Sequence, residues 1–180
     1  VESGVDGRLH ARLTGFGLAK HLGDDDDDPT AITMTGQVIG NPAYMSPETI
    51  MRGILDPRTD IYALGVTTYE MIVGERPFPG RSLAEMLAAH IQGVPKRPSS
   101  LRPEIPGYLE NIIERMIANE PEQRYQSAEE VLFDLVIGEQ NSLESADLSG
   151  SGANRVSVGD WWLVVLLVFI SILALIIVSI

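Results

Sequence analysis

Gly40-Asn-Pro-Ala-Tyr-Met-Ser-Pro-Glu48 is where the chain turns from irregular to helical. Ser46 offers an oxygen to a free backbone N–H, and Pro47 suits the first helical position where no N–H is needed, ahead of Glu48 to Met51. Gly53 then closes a short helix. On the upstream side, from Gly15 to about Pro42, apolar periodicity vanishes. That stretch holds the aspartates Asp24 to Asp28 and the threonines Thr30, Thr33 and Thr35, and reads as a long exposed loop.

On the downstream side helices are expected. Thr59 to Val73 carries Ile61, Leu64, Val66, Tyr69, Met71 and Ile72, broken mainly by Asp60 and Glu70, a pattern that belongs at the centre of a domain. Ser82-x-x-Glu85 and Ser127-x-x-Glu130 fit the capping box, predicting helices to about Gln92 and Ile137. Tyr108, Leu109, Ile112, Ile113, Met116 and Ile117 recur at spacings of three and four, the stripe of an amphipathic helix, after a Pro-rich loop from Val94 to Pro106. Gly138 to Val156 is polar and Ser/Gly-rich, the composition of a flexible linker. Before the loop, Arg8 to Thr14 alternates apolar Leu9, Ala11 and Leu13 with polar neighbours, the period of a half-buried strand, after a turn at Gly4 and Asp6-Gly7.

The whole chain has 180 residues, with 13 Lys plus Arg against 25 Asp plus Glu, a net charge of −12. A chain this acidic is not built to hold a nucleic-acid backbone. Cysteine is absent, which excludes a disulfide framework, a zinc knuckle and a thiol nucleophile. The length allows one domain plus a short extra segment. The five aspartates lack the spaced ligands and turn glycine of a calcium loop and read as a solvated acidic segment. Trp161 to Ile180 holds 18 apolar residues in 20, enough for about 30 Å of helix, and is predicted to be a single transmembrane helix. Arg155 alone near it gives almost no positive-inside signal. The chain opens on Val1 rather than Met and reads as a piece of a longer one.

Five motifs follow in fixed order: Leu13-Thr-Gly-Phe-Gly-Leu-Ala-Lys20, Gly40 to Glu48, Asp60-Ile-Tyr-Ala-Leu-Gly65, Tyr69-Glu-Met-Ile-Val-Gly-Glu-Arg-Pro-Phe78, and Glu120-Pro-Glu-Gln-Arg-Tyr-Gln-Ser-Ala-Glu129. Each alone arises by chance. In this order, over about Gly7 to Gly138, they resemble the C-terminal lobe of a protein kinase, most of all the bacterial serine/threonine type.

The resemblance implies a mainly α fold: a helical kinase-like C-terminal lobe with a short β element at its start, followed by the transmembrane helix. It divides the chain into a partial kinase-like domain (1–138) that includes the activation segment, a polar linker (139–160) and the membrane segment (161–180). It implies ATP and magnesium as family cofactors, a protein substrate or signalling partner, the bilayer as a partner through 161–180, no nucleic acid, and a single-pass location with the kinase-like part in the cytoplasm. Gly15, Phe16 and Gly17 match the segment whose leading aspartate holds magnesium in the family; Gly15 has no oxygen ligand, so no metal site is expected. Phe16 would pack against the helix of the other lobe. Asn41 stands where the family's serine/threonine kinases carry Thr. The glycine-rich loop, phosphate-pairing lysine, helix glutamate and catalytic loop precede this region in the family, so no catalytic residue is expected in the chain itself.

Structural positions match better. Glu48 and Arg124 correspond to a buried ion pair, and Asp60 to the aspartate that accepts hydrogen bonds from the catalytic-loop backbone, the alternative for Asp60 being simply an N-terminal charge on the helix dipole. Tyr44, Met45 and Pro47 would shape the floor under a bound peptide. Thr30, Thr33 and Thr35 sit where regulatory phosphates are placed. Two functions follow: a C-terminal fragment of a membrane-anchored serine/threonine kinase, inactive as this chain, or a pseudokinase, a membrane-tethered protein-binding scaffold without phosphoryl transfer.

Overall fold

The computed structural model describes residues 2–3, 9–10 and 41–148. Strands β1 (Glu2–Ser3) and β2 (Leu9–His10) pair antiparallel, Glu2 opposite His10 and Ser3 opposite Leu9. A 3-10 turn at Pro42–Tyr44 leads into helices α1 (Pro47–Arg52), α2 (Pro57–Val73), α3 (Leu83–Gln92), α4 (Pro98–Leu101) and α5 (Gly107–Met116). A second 3-10 turn, Pro121–Gln123, precedes α6 (Ala128–Leu148).

The start signals act largely as their chemistry dictates. Ser46 Oγ accepts from Thr49 N, and Gly53 ends α1 at φ 65°, a left-handed conformation that glycine adopts without penalty. Ser82 and Ser127 accept from the N–H groups of Glu85 and Glu130. The returning carboxylates bond one residue earlier than a capping box requires, Glu85 to Arg81 N and Glu130 to Gln126 N. α2 begins two residues before the apolar run, because Asp56 caps it with Pro57 at the first position.

The core is built from α2, α5 and α6. Tyr62, Val66, Tyr69 and Ile72 of α2 pack with Leu109, Ile112, Ile113 and Met116 of α5 and with Val131 and Leu135 of α6. α2 lies against α5 closely enough that a Cβ on Gly65 would stand 2.7 Å from both Ile117 Cγ2 and Met116 Cβ.

Two expectations are corrected. The fold was expected to combine a helical lobe, a starting β element over Arg8–Thr14 and a transmembrane helix. The described body is helical. Of the expected strand only Leu9–His10 is described, in a two-residue pairing, and the clustered core is drawn from residues 61–135. No helix among the described residues is long and apolar enough to cross a membrane. α2 has 17 residues and carries Arg58, Asp60 and Glu70; α6 has 21 and carries Glu129, Glu130, Asp134, Glu139, Glu144 and Asp147. Residues 161–180, for which the span was expected, lie outside the described residues. The membrane anchor, the bilayer as partner and the single-pass location with a cytoplasmic kinase-like part are therefore withdrawn.

α6 also runs eleven residues past the expected end at Ile137, so 139–148, read as linker, is helical. Gly138 is part of the reason: a Cβ there would collide with the Tyr108 ring, and without one α6 passes directly over α5.

Candidate functional site

Asn41, Tyr44, Met45 and Pro47 lie on one short connection that reaches α2 and α3. Asn41 is exposed and its Oδ1 accepts from Ala43 N at 3.1 Å, capping the Pro42–Tyr44 turn. The turn closes with Tyr44 N bonded to Asn41 O. Ala43 and Pro47 are buried, and Tyr44 and Met45 are half-buried. The Tyr44 hydroxyl donates to Glu70 Oε2 of α2 at 2.6 Å, and this bond, ahead of burial, raises the Tyr44 pKa. The result is a hydrogen-bonded, partly open shelf with a carboxylate beside it.

The shelf is anchored from below by Glu48 and Arg124. Arg124 is buried, and its Nη1 and Nη2 each stand 2.8 Å from one Glu48 oxygen. Its remaining N–H groups donate to the carbonyls of Ala118, Arg58 and Asn119, so all five guanidinium donors are used. Thr59 Oγ1 donates to Glu48 Oε1 at 3.2 Å. Burial alone would push the Glu48 carboxyl up, but hydrogen bonds from Arg124 and Ser46 outweigh it and hold the pKa below the ordinary carboxylate range. The guanidinium also lies 4.8 Å from the centre of the Tyr62 ring.

Asp60 stands in the first turn of α2. Its side chain is exposed to solvent, makes no hydrogen bond among the described residues, and still has its pKa raised, because the protein packed around it disfavours the charge. An acid in this position is ready to accept N–H donors.

The structure brings Asn41, Tyr44, Met45, Pro47, Glu48 and Arg124 into one region around the start of α1, with Asp60 on the adjoining turn of α2. Gly15, Phe16, Gly17, Thr30, Thr33 and Thr35 lie outside the described residues. Sequence reasoning missed Glu70 and His90. Glu70 was visible only as a polar break in an apolar helix. His90 is fully buried on α3, with Nδ1 2.7 Å from the Tyr62 hydroxyl; a lone histidine on an apolar face was its only signal.

Among the described residues no three acidic or histidine side chains gather in a way that could hold a metal ion. These residues supply no donor set for nucleotide-bound magnesium.

The family model of the protein kinase domain matches residues 5–135. The chain is 34% identical over 131 residues to the serine/threonine-protein kinase PrkC of Bacillus subtilis, covering 73% of this chain and 19% of that protein. It is 31% identical over 147 residues to the serine/threonine-protein kinase PknB of Mycolicibacterium smegmatis, covering 82% of this chain and 23% of that one. With PknB of Mycobacterium tuberculosis it shares 34% over 125 residues, 69% of this chain and 20% of the relative. The chain thus spans about a fifth of the length of the curated relatives it matches.

Proposed function

The chain belongs to the protein kinase domain family, and from that premise we propose that residues 41–138 serve as the helical, protein-binding lobe of a serine/threonine protein kinase. The family transfers the γ-phosphoryl group of ATP, with magnesium, to a protein hydroxyl. In this reading Tyr44, Met45 and Pro47 form the floor under the protein substrate, Asp60 receives N–H groups of the catalytic loop, and Gly15, Phe16 and Gly17 begin an activation segment that carries Thr30, Thr33 and Thr35 as phosphate acceptors. The domain then covers 1–138, α6 carries on to Leu148, and the remainder of 139–160 is the linker.

The observation that carries the reading is the Glu48–Arg124 pair. Five satisfied donors on a buried guanidinium are an expensive way to hold a carboxylate unless its position matters. What they fix is the end of the Asn41–Pro47 shelf, against which a peptide would rest.

A second reading, a protein-binding scaffold without phosphoryl transfer, is favoured by Gly15. Glycine brings no side-chain oxygen to the position where the family holds magnesium. A hybrid separates the two: the ATP-binding lobe and catalytic loop of the Bacillus relative joined ahead of Gly7 of this chain, with Gly15 kept or replaced as Gly15→Asp. Incorporation of γ-phosphate into a basic protein is expected only with Gly15→Asp. Transfer with Gly15 in place sinks the scaffold reading. A cooperatively folded Gly15→Asp hybrid that transfers nothing sinks the substrate-side reading.

A further inference from the structure

Phe133, Val136 and Ile137 stand at i, i+3 and i+4 on α6 and are 66%, 40% and 39% exposed. The other side of the helix is the one that packs: Val131 and Leu135 are buried in the core, and Gly138 lets α6 pass over Tyr108. An aromatic and two branched side chains gathered on one outward face form a patch, which marks an interaction surface in a way that scattered single residues do not.

The patch is framed by carboxylates. Glu129 lies four positions before Phe133 and Glu144 seven after Ile137, so both share the outward face, about 22 Å apart at 1.5 Å per residue. Both are exposed, and neither forms an ion pair among the described residues. On the side toward α5, Glu130 and Asp134 are already engaged by Arg115 at 3.8 and 3.6 Å. α6 has no Lys or Arg in its 21 residues. The face is therefore apolar at its centre and anionic at both ends.

This charge pattern selects the occupant. Two copies of α6 paired antiparallel across the patch would set Glu129 of one opposite Glu144 of the other, and parallel pairing would set each against itself; like charges so placed are repulsive. The chain beyond Leu148 has one basic residue, Arg155, and Trp161 to Ile180 has no charge at all, so it offers nothing to the two ends. A helix with apolar residues at i, i+3, i+4 and i+7 and Lys or Arg at both ends matches both features of the face.

We infer that the outer face of α6 docks a partner protein through a basic amphipathic helix of about four turns, the length that spans Glu129 to Glu144. Phe133, the largest and most exposed of the three apolar side chains, is the anchor. The carboxylates set the orientation and speed the encounter. The inference does not depend on phosphoryl transfer, since an active kinase lobe and a scaffold would both present this face.

Fluorescence anisotropy of the full chain with a labelled Leu/Lys peptide tests the face. The peptide carries Leu at i, i+3, i+4 and i+7 and Lys elsewhere; a scrambled peptide of equal composition keeps the charge and loses the stripe. The striped peptide is expected to bind about tenfold tighter than the scrambled one. Phe133→Ser should weaken it about tenfold, and Glu129→Gln combined with Glu144→Gln about fivefold. Val94→Ser, at an exposed apolar residue away from α6, should leave it unchanged. Equal binding of the two peptides overturns the inference, because charge alone then explains the attraction. So does wild-type affinity in either the Phe133→Ser or the carboxylate variant.

A striped peptide that fails to bind the wild type also overturns it, and two measurements then identify what covers the face instead. Wild type that sediments as a dimer while Phe133→Ser sediments as a monomer assigns the face to a second copy. Trp161 and Trp162 are the chain's two tryptophans, so a red shift of their emission in Phe133→Ser assigns it to the chain's own apolar segment.

Discussion

Arg124 meets Glu48 edge to edge, Nη1 to Oε1 and Nη2 to Oε2, each at 2.8 Å, across 76 positions of sequence. Breaking a buried pair of this kind by removing one partner costs about 3–5 kcal/mol, because the remaining charge is stranded. Arg124→Met is therefore expected to lose that much in urea unfolding of the full chain. Adding Glu48→Gln recovers only part of it, since the Ala118, Arg58 and Asn119 carbonyls remain without their donor. A loss below about 1 kcal/mol for Arg124→Met would show that the pair is as weak as an exposed one.

His90 makes stability depend on pH in a definite direction. Its pKa falls from 6.5 to about 4 on folding, so between those values the unfolded chain binds more protons than the folded one. Stability is then fully present above about pH 6.5 and falls as the pH drops toward 4. The expected loss is about 1–2 kcal/mol between pH 7 and pH 5, measured as the difference in pH slope between wild type and His90→Gln. Identical slopes in the two proteins would remove His90 as the cause.

Asp56 caps α2 with Oδ1 accepting from Arg58 N at 2.8 Å, while Arg58 Nε and Nη2 bond its two oxygens at 2.8 and 2.9 Å. The Arg58 guanidinium is the leading cause that holds the Asp56 carboxyl below the ordinary range. Asp56→Ala is expected to cost about 1–2 kcal/mol, the usual worth of such a cap. Asp56→Asn, which keeps the cap and loses the charge, should fall between it and wild type in thermal unfolding; if both variants match wild type, the cap does not limit α2.

Local chemistry made much of the fold legible. Ser46-Pro47-Glu48 and Gly53 mark both ends of α1, and the stripe from Tyr108 to Ile117 marks α5. Errors arose where local and tertiary signals part. α4 hides in a Pro-rich stretch because Pro98 opens it, and α6 was cut short at a glycine whose purpose is contact with Tyr108. The Glu48–Arg124 pair was found through its motifs. Tyr44–Glu70 and Tyr62–His90 join residues 26 and 28 positions apart with no motif to announce them, and only the packing of α2 against the turn and α3 reveals them. Trp161–Ile180, the strongest apolar signal in the chain, lies outside the described residues, and the two longest helices that are described, α2 and α6, carry charges.

Gly65→Ala sets two effects of known size against each other. Alanine in place of glycine inside a helix favours α2 by roughly 0.5–1 kcal/mol through backbone entropy. The added methyl would stand 2.7 Å from Ile117 Cγ2 and 2.7 Å from Met116 Cβ, both fully or almost fully buried. Neither neighbour is the free end of an exposed side chain, so α2 and α5 must separate, and overpacking of this kind costs about 1–3 kcal/mol. The packing effect outweighs the entropy, and Gly65→Ala is expected to be destabilising by about 1 kcal/mol in urea unfolding. A second substitution decides whether the contact is the cause. Ile117→Leu moves the branch off Cβ and so removes the Cγ2 that meets the new methyl, and combined with Gly65→Ala it should cost less than the two single changes added together. Strict additivity would mean that α2 and α5 do not press on each other at Gly65.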